Sequence, residues 1–370
     1  MKFEAIKGYE NIKKKLILTI ANGRMPHAQL FLGIEGGGQL AMALAYAQYA
    51  ICLNPSNEDS CGKCSNCVKM EKMIHPDLHF SYPMSGGGAV AENQMLLFKK
   101  SLAENPYMSI HDWMSISGKE NGLPNITSAE CRSIIHKLSF KPFEASIKIL
   151  IMWLPEYLNV TGNILLKSIE EPSGKTLLLL VSNQEEKILG TILSRTQKTR
   201  FPPFKVSEIK EYMLANYEMT EDVAQNIGLM SGGDLNKAIN LSENVENAFL
   251  DSFRGWLLDC YKGDKTRFDY WTKELSGLGR EKIKSFFDYG LQMCRACLVE
   301  PYGLNKDRLT HNENDFVKKL AALMDIDNIA TFYKLISDAS YGIERNGNAK
   351  IIIIDLSLNI RKCFKSKKLV

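Results

Sequence analysis

Residues 27–53 read "HAQLFLGIEGGGQLAMALAYAQYAICL". The first part, "HAQLFLG" (27–33), is a short apolar run ending in glycine, the pattern of a buried strand. The last part, "QLAMALAYAQYAICL" (39–53), is rich in Ala and Leu with no breaker, which favours a helix. Between them lies "GIEGGGQL" (33–40), a glycine turn in the strand-to-helix context that a phosphate-cradling loop requires. The spacing G-x-x-x-x-G-K-[ST] is met by Gly33 and Gly38, with Gly36 inside it. The Lys position, however, holds Gln39, and the Ser/Thr position holds Leu40. A working loop uses that Lys as a cation for the β- and γ-phosphates and the hydroxyl as a magnesium ligand. The stretch predicts a loop that keeps its shape and has lost both contacts.

Working outward, the same alternation recurs. "YENIKKKLILTIANG" repeats Ile12, Leu16 and Ile20 every four residues and offers Gly23 as a C-terminal cap, so it predicts a helix. "KILIMWL" (148–154) and "TLLLLVSN" (176–183) are apolar strand candidates, and "NVTGNILLKSIEEP" (159–172) between them has helical spacing stopped by Pro172. Apolar strands alternating with amphipathic helices predict a parallel sheet covered on both faces. From about 80 to 127 the pattern breaks into "MSGGGAVAENQ" and "SISGKENGLPN", which predicts a partly flexible insertion. After "FPPF" (201–204) the chain reads as helices, except that the isoleucines of "AKIIIIDLSLNIRKCF" suit a strand as well as a helix.

At 370 residues, 45% hydrophobic and 24% charged, the composition is that of a globular chain of two or three domains. A formal charge of +4 is too mild to argue for nucleic acid. Lys13–Lys15 and the tail "KCFKSKK" are basic runs of the kind that usually mark solvated faces. No apolar run approaches the roughly 18–20 residues of a membrane helix, and the first fifteen residues lack a signal-peptide core. The expected location is cytoplasmic, with reduced thiols.

Nine cysteines there need a reason other than disulfides. Cys52, Cys61, Cys64 and Cys67 are spaced C-x8-C-x2-C-x2-C, with turn-formers between them. Four thiolates in such knuckles suit a closed, structural zinc site; the other reading is four unligated thiols in a loop. Cys294 and Cys297 have the spacing of one helix face and read as packing; Cys131, Cys260 and Cys363 are isolated.

"GRMPHAQLFLGIEGGGQLAMALAYAQYAICL", the cysteine knuckle, "NILLKSIEEP" (163–172) and "ILSRTQ" (192–197), in this order, resemble the delta-prime type of bacterial DNA polymerase III clamp-loader subunit, within the AAA+ superfamily. The resemblance implies an α/β AAA+ module with a zinc knuckle over 1–204, a helical lid over 205–243, and an all-α collar for oligomerisation over 244–370. It also implies that the isoleucine run is helical. In gamma/tau relatives the loop binds ATP; in delta-prime relatives it is degenerate. By that alignment Trp153 and Leu154 stand where an Asp-Glu pair would hold the metal and the attacking water. Asn236 of "SGGDLNKAIN" stands where an arginine would reach the γ-phosphate. No ATP hydrolysis is expected.

The resemblance assigns Arg195, after Ser194 and before Thr196, the role of an arginine finger in a neighbour's ATP site. Without it, the residue reads as a surface arginine at a helix end. Arg24 is either a surface residue or, as the resemblance implies, lies beside primer-template DNA or the nucleotide edge. The implied partners are gamma/tau and delta subunits, and through them the sliding clamp and primer-template DNA, with no membrane. The other readings are an ATP-binding gamma/tau-type subunit, a degenerate AAA+ assembly protein of another complex, and an unrelated zinc-knuckle nucleic-acid binder. Residues 52–70 contain no aromatic side chain, which fits the last reading poorly.

Overall fold

The computed structural model describes every residue except 87, 120–121, 243–247, 264, 303–308, 310, 346 and 366–370. Parts of the 80–127 segment and of the basic tail, and the expected boundary at 243/244, lie outside the described residues. The chain forms two compact units, residues 1–216 with 231–240, and residues 217–230 with 241–370.

The first unit is built on α1 (Glu10–Ala21), β1 (Ala28–Leu32), α2 (Gln39–Ala50), α3 (Ser65–Glu71), β2 (Leu78–Ser81) and the two-residue β3 (Met84–Ser85). There follow α4 (Met95–Glu104), α5 (Ile110–Ile116), β4 (Pro124–Asn125), α6 (Ser128–Ser139) and β5 (Lys148–Trp153). The unit continues with α7 (Leu166–Glu170), β6 (Thr176–Ser182), α8 (Gly190–Leu193), β7 (Gln197–Arg200) and α9 (Val206–Asn216). Strands β2-β5-β6-β1-β7 form one sheet, parallel throughout, and β3 pairs with β4 apart from it.

Alternate residues of each strand point to opposite faces. Leu30, Leu150, Met152, Leu178 and Leu180 meet Ile134, Leu138, Leu165, Ile169 and Ile192 in one buried layer. On the other face Phe31 lies 6.1 Å from Tyr46 of α2, ring centre to ring centre. With every central strand wholly buried, the sheet is covered on both sides, as its apolar runs require.

Three sequence expectations need correction. Residues 159–172 were expected to be one helix, but 159–165 form a 3-10 helix and only Leu166–Glu170 are α-helical. Val160 and Thr161 are β-branched, and Gly162 packs so closely that an added Cβ would stand 3.0 Å from Leu189. The segment 80–127 is organised by aromatics rather than by a repeating pattern. Tyr82 stacks on Phe98 at 3.7 Å and 11°, Trp113 packs edge-on to both, and Phe98 touches Trp153 of β5. Trp113 donates its indole N–H to Pro83 O at 2.8 Å. Lys13 is not a solvated charge: it is buried and donates to Ile6 O at 2.6 Å.

The described part of the second unit is helical: α10 (Glu221–Ser231), α11 (Leu235–Ser242), α12 (Ala248–Lys262), α13 (Lys265–Ser276), α14 (Arg280–Val299), α15 (His311–Leu323), α16 (Ile326–Glu344) and α17 (Ala349–Lys365). Helix α11 begins in the first unit. The isoleucine run is helical: Ile353, Leu356 and Ile360 face the core while Ile351 is exposed. Cys294 and Cys297 are buried on one face of α14, as their spacing predicts.

Phe98→Ala is expected to destabilise the first unit by about 3–5 kcal/mol, the usual cost of emptying a packed aromatic site. Urea denaturation followed by near-UV circular dichroism measures it, and a loss below about 1 kcal/mol would mean that this segment is not part of the core.

Candidate functional site

The glycine loop joins β1 to α2 at the carboxyl edge of the sheet, where parallel α/β folds hold their ligands. Its turn is real: Gly36 has φ +65°, and Gly37 N–H donates to Ile34 O at 3.1 Å. What fills the loop is protein. The amide of Gln39 folds back under it, donating to Ile34 O at 2.7 Å and to Asn183 Oδ1 at 2.8 Å. A Cβ on Gly33 or Gly37 would stand 2.4 Å from Gln39 Oε1. That oxygen is buried and has no hydrogen-bond partner among the described residues. An acceptor therefore sits where the phosphate-loop cation would be, and Leu40 after it is buried and apolar.

Two more groups close the loop. The Asp234 carboxylate lies over Gly36, where a Cβ would clash with Oδ1 at 1.6 Å, and Leu235 N–H donates to Gly36 O at 2.9 Å. Burial pushes the Asp234 carboxyl up to about 6. The ring of Tyr9 comes within 2.4 Å of where a Gly38 Cβ would be, and its hydroxyl donates to Pro202 O at 2.9 Å. A carboxylate against the loop repels an incoming phosphate, and the glycines admit side chains of this chain instead.

The residues 231–240 that carry Asp234 are braced from the 80–127 segment. Asn236 donates to Asp112 Oδ2 at 2.7 Å and accepts from Asn105 at 2.7 Å. Asp112 also caps α5 through Ser109. Asn236, expected to replace a phosphate-reaching arginine, is thus buried in an amide-carboxylate chain. Trp153 and Leu154, at the acidic-pair positions, are buried, and Leu154 has φ +57°.

Sequence reasoning missed Asn183, Asp234, Glu156 and Tyr9. Asn183 follows β6, so its place at the sheet's carboxyl edge was readable. Glu156 accepts from Asn183 N–H at 3.0 Å, and burial pushes its carboxyl up. Glu156 follows the apolar strand by three positions, which hid it; Tyr9 and Asp234 are brought in by tertiary packing alone.

The four cysteine sulfurs Cys52, Cys61, Cys64 and Cys67 all lie within 4.8 Å of one another. Cys61 and Cys67 sulfurs are 3.9 Å apart, close to the edge of a tetrahedron with Zn–S bonds of about 2.3 Å. Backbone N–H groups already point at sulfur: Cys61 N–H at Cys52 Sγ and Cys64 N–H at Cys61 Sγ, both 3.3 Å. The N–H groups of Lys63 and Cys64 draw the Cys61 thiol down to about 6, whereas burial pushes the Cys67 thiol up. The cluster can hold a structural zinc with no position left open. Asp59 ties its loop to the N-terminal turn, accepting from Phe3 and Glu4 N–H at 3.2 and 2.9 Å.

Arg195 follows α8 and is exposed, next to Ser194, whose hydroxyl donates to Thr191 O at 3.1 Å. Arg24 is also exposed, and its backbone N–H donates to Thr19 O at 2.9 Å. No helix among the described residues is long and apolar enough to cross a membrane.

A five-stranded parallel sheet with a strand–glycine loop–helix unit at its carboxyl edge is an α/β module of phosphate-loop type, with a four-cysteine cluster after that helix. Residues 8–205, more than half of the chain, match the family described as DNA polymerase III, delta subunit, and the chain belongs to that family. The DNA polymerase III subunit delta' of Bacillus subtilis (strain 168) is 27% identical over 238 residues, 64% of this chain and 60% of that protein. That of Escherichia coli (strain K12) is 22% identical over 231 residues, 62% of this chain and 58% of that protein. The chain thus spans less than two thirds of the length of these relatives. The crystal structure of a DNA polymerase III gamma subunit-related protein from Thermotoga maritima aligns with a TM-score of 0.39 and 14% identity, over 96% of this chain and 100% of that one.

The carboxyl of Asp234 ionises at about 6 in the fold against an ordinary 3.8, so folding disfavours its charged form and stability falls as pH rises through that window. Asp234→Asn keeps an acceptor for Lys237 N–H and removes the charge. The variant is expected to gain stability over the parent between about pH 4 and pH 6. Urea denaturation at several pH values checks this; two curves that run parallel across the window would refute it.

Proposed function

We propose that this chain is a non-hydrolysing subunit of a DNA polymerase III clamp loader, a fixed element beside ATP-binding subunits, to one of which it lends Arg195. The observation that carries the reading is an asymmetry. The chain's own loop is filled by Gln39, Asp234 and Tyr9, while Arg195 stands exposed on the surface. A guanidinium in a neighbour's site stabilises charge spread over transferring phosphoryl oxygens, worth about 10³–10⁵ in rate in well-studied cases. Ser194 belongs to the same Ser-Arg motif on this reading, its hydroxyl accepting from Arg195 Nη1 at 3.1 Å.

The partners on this reading are gamma/tau-type and delta-type subunits, and through them the sliding clamp and primer-template DNA. The rival reading, an ATP-binding gamma/tau-type subunit, meets an acceptor oxygen at the lysine position and a carboxylate over the loop. Zinc in the four-cysteine cluster serves as a structural clamp between the end of α2 and the start of α3 on this reading. It would hold all four thiolates and supply folding free energy rather than catalysis.

Two measurements test this. The assembled loader carrying Arg195→Ala is expected to keep its composition and lose at least tenfold in DNA-stimulated ATP turnover; unchanged turnover would refute the finger. The purified chain is expected to hold about one zinc per molecule by elemental analysis and to lose it in Cys64→Ser, with a lower Tm. Metal content unaffected by that substitution would refute the clamp.

A further inference from the structure

We propose that Glu170 is a positioning residue for Arg195, fixing the plane of its guanidinium through Nε; this rests on the arginine-finger reading above.

A guanidinium has five N–H groups, one on Nε and two on each Nη. Arg195 Nε donates to Glu170 Oε1. Nη1 donates to Thr191 O at 2.8 Å and to Ser194 Oγ at 3.1 Å. Three of the five are spent, and the two on Nη2 have no partner among the described residues. The side chain of Arg195 is 34% exposed, so it is partly covered and still reaches solvent. An arginine free in solvent would have to be ordered each time a phosphoryl group required it; here the ordering is in place beforehand.

Glu170 is itself anchored. It ends α7, and the carbonyl of the preceding Ile169 lies 2.8 Å from His27 Nε2, just before β1. Thr191 and Ser194 sit on and just after α8, in the same turn as Arg195. The carboxylate and the two oxygens on the α8 side thus approach the guanidinium from different elements and fix its plane. Glu170 carries a cost as well, since a carboxylate beside the finger reduces the attraction for a triphosphate. Orientation is what it supplies in return. The neighbour's ligand on this account is a nucleoside triphosphate whose γ-phosphoryl oxygens meet Nη2, while Nε stays with Glu170. Glu171, the next residue, makes no side-chain contact with Arg195 in the structure and serves as a charge-matched control.

The test uses the assembled loader, in which kcat and KM for ATP are measured with the parent chain, Glu170→Gln, Glu171→Gln, Arg195→Ala and the Glu170→Gln/Arg195→Ala pair. In the isolated chain, the Arg195 Nε–H resonance is followed by NMR for its exchange with water. Glu170→Gln is expected to lower kcat on the order of tenfold with KM unchanged, the effect of a misaligned catalytic group. Its Nε–H should exchange faster than in the parent at unchanged Tm, and the pair should be no slower than Arg195→Ala alone. If Arg195→Ala slows turnover and Glu170→Gln does not, the positioning role is wrong and the finger stands. If Arg195→Ala has no effect, the finger reading falls and this proposal with it. Equal effects of Glu170→Gln and Glu171→Gln, or additive losses in the pair, would mean that surface charge and not orientation is at work.

Discussion

The first unit depends on one short interaction, the amide of Gln39 turned back beneath its own loop to bond Ile34 O and Asn183. A glycine loop left empty would expose N–H groups and a helix N-terminus with no partner, a standing invitation to anions. Gln39 occupies that space with a neutral group and joins two sheet strands, β1 through the loop and β6 through Asn183. Asn183 N–H in turn bonds Glu156 beyond β5. The carboxyl edge of the sheet is therefore cross-linked by polar side chains where relatives of this fold class open a cleft. Tyr9 and Asp234 complete the packing from above. Their closeness explains why glycines persist at 36 and 38: any larger residue would strike a neighbour.

The aromatic cluster of the 80–127 segment and this loop are parts of one arrangement. Phe98 leans on Trp153 at the end of β5, while Asn105 and Asp112 hold Asn236. Tryptophan at the strand end gives α4 an apolar surface to cover, and Trp113 of α5 packs on the same Phe98. The end of β5 and the ordering of a segment with little local pattern are thus one packing unit. At the opposite end of α2 the four cysteine sulfurs gather within 4.8 Å, and Asp59 ties their loop to the N-terminal turn.

Much of this was legible in the residues. The strand–glycine loop–helix unit could be read because buried parallel strands are almost wholly apolar and Ala/Leu runs have one favoured state. The four cysteines could be read because thiolate spacing is tightly constrained. Strand β7, "QKTR", was illegible because it is an exposed, polar edge strand, held by the backbone ladder to β1 and by the ion pairs of Lys198 and Arg200 with Glu185. The packing of the 80–127 segment was illegible because Tyr82, Phe98 and Trp113 meet only in three dimensions and leave no period in the sequence. For the site, the missing Lys and hydroxyl were evident from Gln39 and Leu40; what replaces the ligand was not. Asp234 and Tyr9 lie far from the loop in the chain, and no local spacing announces that they cover it.

The filling of the loop by several unrelated side chains makes its occupancy a joint property. Lysine at 39 alone would leave the carboxylate at 234 over Gly36 and the phenol ring at 9 against Gly38. Each single substitution meets obstacles that the others leave standing. Emptying such a volume is cooperative: room for a phosphate would come only through several simultaneous changes.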